Sequence, residues 1–107
     1  MNIFLDEKLD DAVNQAELIS VKVLIDQGAD IEAVDAFGCT PLMNAAWVAS
    51  VDIVEYLISL GANVYAVNNE GKTALDMAES VGHNDYGHDA VIVVLTKEMK
   101  RRNRSGL

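Results

Sequence analysis

The sequence is poor in the features that staple, span or export a chain. Cys39 is the one cysteine in 107 residues, so no internal disulfide forms and a disulfide-stapled secreted fold is excluded. Long apolar runs are missing. The longest are a handful of residues, such as Val91 to Leu95, against the roughly 18 that a membrane span requires. The N-terminus has no basic start and carries several acids within Met1 to Asp10, so it is not expected to be a signal peptide. Aromatic residues are scarce, with one Trp and two Phe. Basic residues are almost absent from the first 96 positions, where Lys8, Lys22 and Lys72 face 16 acids. These absences leave a reduced protein expected in the cytoplasm. Its length fits one domain, and an apolar content of 50% is too high for a disordered chain.

The net charge of −9 is unevenly divided, with −13 over residues 1–96 and +4 over residues 97–107. An acidic body repels phosphate backbones, so no nucleic-acid partner is expected. The tail, with Lys97, Lys100, Arg101, Arg102 and Arg104, has two readings. It complements the negative end of a C-terminal helix, or it touches an acidic partner.

The chain matches itself at a shift of 33. Gly28-Ala29-Asp30-Ile31 returns as Gly61-Ala62-Asn63-Val64, and Gly38-Cys39-Thr40-Pro41-Leu42 as Gly71-Lys72-Thr73-Ala74-Leu75. Leu9 to Ala12 precede Leu42 to Ala45 by the same shift, and Val21, Leu24 and Ile25 precede Val54, Leu57 and Ile58. Such a period indicates stacked units, none of which buries its apolar face alone. In the middle unit Thr40 is an N-cap with Pro41 at N1. Leu42, Ala45 and Ala46 follow at helical spacing, and the small alanines admit a second helix close by. Ser50 is expected to cap that helix, with Asp52 in its first turn. Ile53, Val54, Leu57 and Ile58 form its apolar face. Gly61 ends it with positive φ. Ala62 to Ala66 are expected to run extended, and Asn68 to Gly71 to form a tight turn.

The stretch from Asp35-Ala36-Phe37-Gly38-Cys39-Thr40-Pro41-Leu42 through Gly61-Ala62-Asn63-Val64 resembles the ankyrin repeat, and the resemblance covers nearly the whole chain. It implies an all-α solenoid of helix-turn-helix units with projecting β-turn fingers. It divides the chain into an N-terminal capping repeat over 1–34, a central repeat over 35–67 and a C-terminal capping repeat over 68–107. The last has an insertion near 82–87 and the basic tail. The count is about three repeats, which is expected to make a complete small stack.

Some positions depart from the family pattern. Met43 and Asp76 stand where the family has His, which puts the usual inter-repeat hydrogen bonds in question. Ala16 and Ala49 stand where it has Gly between paired helices. If φ is positive there, each Ala costs about 1 kcal/mol; a different local turn is the alternative.

Little in the chain suggests chemistry. Gly71-Lys72-Thr73 looks like the end of a phosphate-binding loop, but that loop needs a glycine where Ala66 stands. It reads instead as a turn and an N-cap. His83, Asp85, His88 and Asp89 are the one set of potential metal ligands, spaced for loop polarity and capping more than for zinc. Cys39 has no basic neighbour to stabilise a thiolate. No catalytic residue, cofactor or metal is expected, and the chain is not expected to be an enzyme.

The resemblance assigns partner-contacting positions to Val34, Ala36, Phe37, Cys39, Trp47 and Val48 in the middle unit. In the next unit they are Val67, Asn69, Glu70, Lys72, Ser80 and Val81. Trp47 is either an exposed anchor or packs within the chain. Asp35 and Glu70 are expected to rim this face, with Asp6, Asp10 and Asp11 outside it, an arrangement that suits a basic partner. Three functions fit: a protein-binding adaptor, an immunity or inhibitor protein that neutralises a toxin or enzyme, and an assembly role in which the apolar face pairs two copies of an otherwise monomeric chain.

Overall fold

A computed structural model describes residues 3–81 and 87–105, with side chains as far as Asn103. Six helices follow in order: α1 (Ile3–Asn14), α2 (Leu18–Asp26), α3 (Pro41–Trp47), α4 (Val51–Ser59), α5 (Ala74–Ser80) and α6 (His88–Ser105). There is no strand among the described residues. Helices pair as α1 with α2, α3 with α4 and α5 with α6, and the pairs stack. α1, α3 and α5 form an inner row, while α2, α4 and α6 form an outer one. The expected all-α stack is what forms. None of these helices is long and apolar enough to cross a membrane.

The core is the set of positions that repeat at 33. Leu9 and Leu42, Ala12 and Ala45, Val21 and Val54 are all buried. In α4, Ile53, Val54 and Leu57 are fully buried, and in α6 Val91 and Leu95 are. Ala45, Ala46 and Ala78 are buried to the same degree; their small side chains set the close approach of neighbouring helices.

Helix termini explain most of the connections. Thr40 Oγ1 accepts from Met43 N–H, with Pro41 in the first turn. α2 ends with Gly28 N–H to Ile25 C=O and Ala29 N–H to Leu24 C=O. α4 ends the same way, with Gly61 N–H to Ile58 and Ala62 N–H to Leu57. This paired arrangement satisfies orphan carbonyls and needs a left-handed residue, and both glycines have positive φ. α1 and α3 close identically, but on alanines. Ala16 has φ 57° and Ala49 φ 62°, so the positive-φ alternative holds at both.

Two local expectations are corrected. Ser50 stands at the N-cap of α4 but makes no side-chain cap bond. Its hydroxyl donates to Asp52 Oδ1 instead, and that oxygen also accepts Ile53 N–H; the nearby carboxylate is the stronger acceptor. The arm Ala62 to Ala66 is not extended throughout, because Asn63 Oδ1 accepts Tyr65 N–H and turns the chain. The His positions of the pattern have found other work. Met43 is buried in the core, and Asp76 forms a reciprocal capping box with Thr73. The Gly82-His83 pair and the insertion around Asn84-Asp85-Tyr86 lie outside the described residues.

Candidate functional site: the finger and inner-helix face

Two fingers project between successive helix pairs, and equivalent residues build them. Asp35 Oδ1 accepts N–H bonds from Phe37 and Cys39, while Gly38 N–H returns to Asp35 C=O. Thirty-three residues on, Asn68 Oδ1 accepts from Glu70 and Lys72, and Gly71 N–H returns to Asn68 C=O. Each short polar side chain folds the turn onto itself. The tips are then joined, Asn69 N–H donating to Phe37 C=O and Asn69 Nδ2 to Ala36 C=O.

The fingers hold Phe37 at 73% exposure, and the end of α3 holds Trp47 at 50%. Val34 and Val67 are likewise exposed, as are Ala36, Asn69, Glu70, Lys72 and Ser80, while Val48 and Val81 are half-buried. Cys39 is the correction. It is 6% exposed, and Asn68 Nδ2 lies 3.5 Å from its sulfur. The turn directs residue 39 inward beneath the finger, so the thiol supports the site and does not line it. Burial pushes its pKa up, and the nearby carboxylates of Asp35, Glu70 and Asp10 add to that rise while the Asn68 bond opposes it. The thiol is thus kept protonated.

Asp35 is no free rim acid. It is half-buried, and its second oxygen accepts from Asn44 Nδ2, which also reaches Asp10 Oδ1. Asn44 therefore clips α1, α3 and the first finger together. Burial and the like charges of Asp35 and Asp11 push the Asp10 carboxyl up. Glu70 remains exposed at the tip.

Of the residues considered for chemistry, Thr73 is the N-cap of α5 and Gly71 turns the finger with positive φ. His88 is buried, and its Nε2 lies 2.9 Å from Trp47 C=O. It covers a carbonyl at the end of α3 that the helix leaves open. His83 and Asp85 lie outside the described residues. In the tail, Glu98 accepts from Arg101 and Arg102, and Arg102 also donates to Ala62 C=O. Tyr65 Oη donates to Met99 C=O. The Arg102 and Tyr65 bonds tie α6 to the arm after α4.

The sequence reading missed a groove beside this face. It lies between α1 and the arm after α2, has a volume of about 640 Å³, and includes Ile3, Glu7, Asp30 and Glu32 in its lining. Its one sequence signal is the density of acids at 6–11 and 30–35.

Comparison with known proteins agrees with this architecture. The family model for ankyrin repeats, in three copies, matches residues 9–103. The chain is 30% identical over 95 residues to the DNA replication inhibitor plutonium of Drosophila melanogaster, covering 84% of this chain and 49% of that protein. It is 42% identical over 71 residues to protein phosphatase 1 regulatory subunit 27 of Homo sapiens, covering 66% and 46%. It is 38% identical over 74 residues to the 2-5A-dependent ribonuclease of Mus musculus, covering 68% of this chain but 10% of that enzyme. The chain thus spans about half the length of the first two relatives, and a small part of the third. With three stacked helix pairs, sequence matches at a shift of 33, fingers between the pairs and a family match over most of its length, this chain belongs to the ankyrin-repeat family.

Proposed function

We propose that the chain is a non-enzymatic binding module whose partner protein docks on the finger tips and the inner helices. The observation that carries this reading is the exposure of Phe37 and Trp47, one on a finger and one at the end of an inner helix. Large aromatic side chains of this kind anchor interfaces. Val34, Ala36, Val67, Asn69, Glu70, Lys72 and Ser80 complete the face, with Val48 and Val81 at its half-buried margin. The bond between the finger tips pre-orders the face, which lowers the entropic cost of docking. Capture of partners from the cells that make the chain, with the intact protein and with Phe37→Ala/Trp47→Ala as baits, tests the reading. Partners held by the intact chain and lost by a folded double variant support it; equal capture refutes it.

A second reading is that docking inhibits the partner. The names of two relatives, a replication inhibitor and a phosphatase regulatory subunit, favour it over passive scaffolding. It covers the immunity role as a special case. An enzyme among the captured partners whose activity is unchanged by saturating amounts of the chain would speak against it. Self-pairing through Phe37 and Trp47 is the remaining possibility, and a monomer by sedimentation at micromolar concentration disposes of it.

A further inference from the structure

Resting on the binding-module reading, we infer that the groove between α1 and the arm after α2 seats a basic segment of the partner, one that alternates Lys or Arg with apolar residues. Carboxylates stand on both walls: Asp6, Glu7 and Asp10 from α1, and Asp30, Glu32 and Asp35 from the arm. Among the described residues, no basic side chain lines the groove. Apolar surface is supplied by Ile3, Val34 and Pro41, the first two exposed.

The carboxylates are oriented by neutral donors. Asp6 accepts from Asp30 N–H, Asp30 from Glu32 N–H, and Glu32 from Asn63 N–H. Asn44 serves Asp10 and Asp35. These bonds hold the oxygens in place yet cancel none of their charge. Burial raises the Asp10 carboxyl most, and the like charges of Asp35 and Asp11 add to that rise. A preordered anionic groove attracts cations and steers their approach, and it repels nucleic acid and anionic lipid. The neighbouring groove of about 400 Å³ between α1 and α2 sets Lys8 against Asp11 and Glu17 and is far less acidic.

The alternation follows from the two kinds of surface. Carboxylates on facing walls take the charged heads, while Ile3 and Val34 take side chains that a purely basic segment lacks. A segment with both is held by charge and by apolar burial, and so is distinguished from a diffuse counter-ion.

The test uses the full chain and synthetic twelve-residue peptides, read by fluorescence anisotropy. One peptide alternates Arg and Leu, a second Arg and Ser, and a third Glu and Leu. The Arg/Leu peptide is expected to bind at least tenfold more tightly than either of the others. The variant Glu7→Gln/Asp10→Asn/Asp30→Asn is expected to weaken it at least tenfold. Asp26→Asn/Glu55→Gln/Glu79→Gln, an equal change in charge on exposed positions outside the groove, is expected to keep affinity within threefold. Circular dichroism confirms that both variants fold. Equal loss in the two triple variants, equal binding of the Arg/Ser peptide, or no binding at all overturns the proposal. If the peptide fails while partner capture still depends on Phe37 and Trp47, the groove proposal falls alone.

Discussion

The backbone N–H of Asn69 donates to the carbonyl of Phe37 at 3.0 Å, and this bond fastens one finger to the next. It demands glycine at position 38. A Cβ there would collide with Asn69 Oδ1 and lie 2.9 Å from the Asn69 backbone nitrogen, at φ +78°. Gly38→Ala is expected to cost about 2 kcal/mol or more, since left-handed strain of about 1 kcal/mol adds to the displacement of a backbone neighbour. Gly61→Ala is the control. It shares the positive φ but meets nothing within 4 Å, so about 1 kcal/mol is expected. Urea midpoints of the two variants separate strain from collision.

Ala16 and Ala49 occupy left-handed positions that glycine fills at the ends of α2 and α4. The left-handed penalty for Ala is about 1–2 kcal/mol, and glycine's extra freedom when unfolded returns about 0.4–1 kcal/mol of that. Ala16→Gly is therefore expected to stabilise the protein by about 0.5–1 kcal/mol. Ala49→Gly is expected to gain less, because its half-buried methyl is lost as well. Thermal melting of both variants checks the order.

Two carboxylates act oppositely on acidification. Hydrogen bonds from Arg101 hold the Glu98 pKa at about 2, well below the ordinary 4.5, with Arg102 adding to the effect and desolvation opposing it. Its ionised form is favoured by folding, so this contribution is full above about pH 4.5 and is lost as pH falls toward 2. Glu98→Gln is expected to cost about 1 kcal/mol at pH 7 and to flatten the stability profile between pH 5 and 2. Asp10 is raised, so its ionisation burdens the fold at neutral pH and the burden lifts on acidification. Asp10→Asn, which keeps an acceptor for Asn44, is expected to raise the urea midpoint at pH 7.

The Cys39 thiol is buried and held protonated. Alkylation by iodoacetamide at pH 8 is expected to be slow in the folded protein and rapid in 8 M urea. Fast labelling of the folded chain would contradict the inward placement of residue 39.

Much of the stack was legible because its signals are periodic. Leu9, Leu42, Val21 and Val54 repeat at 33 and are buried together. Thr40 with Pro41, and Gly61, mark helix ends through backbone rules that hold locally. The errors arose where two neighbours compete. Nothing in the order Ser50-Val51-Asp52 says which group takes the N–H at the start of α4, and the carboxylate wins. Cys39 was misplaced because family position alone does not give the direction of a side chain inside a turn folded by Asp35. The groove escaped notice because its walls, near Asp6 and near Asp30, are far apart in sequence and meet only when the first arm folds back beside α1.

The most direct test of the account is the affinity of a captured partner for the intact chain and for Phe37→Ala/Trp47→Ala, by isothermal titration, with folding checked by circular dichroism. Truncation of aromatic anchors at an interface costs about 2 kcal/mol or more each, so the double variant is predicted to bind at least a hundredfold more weakly. Affinity unchanged within threefold in a folded double variant would contradict docking on the finger and inner-helix face.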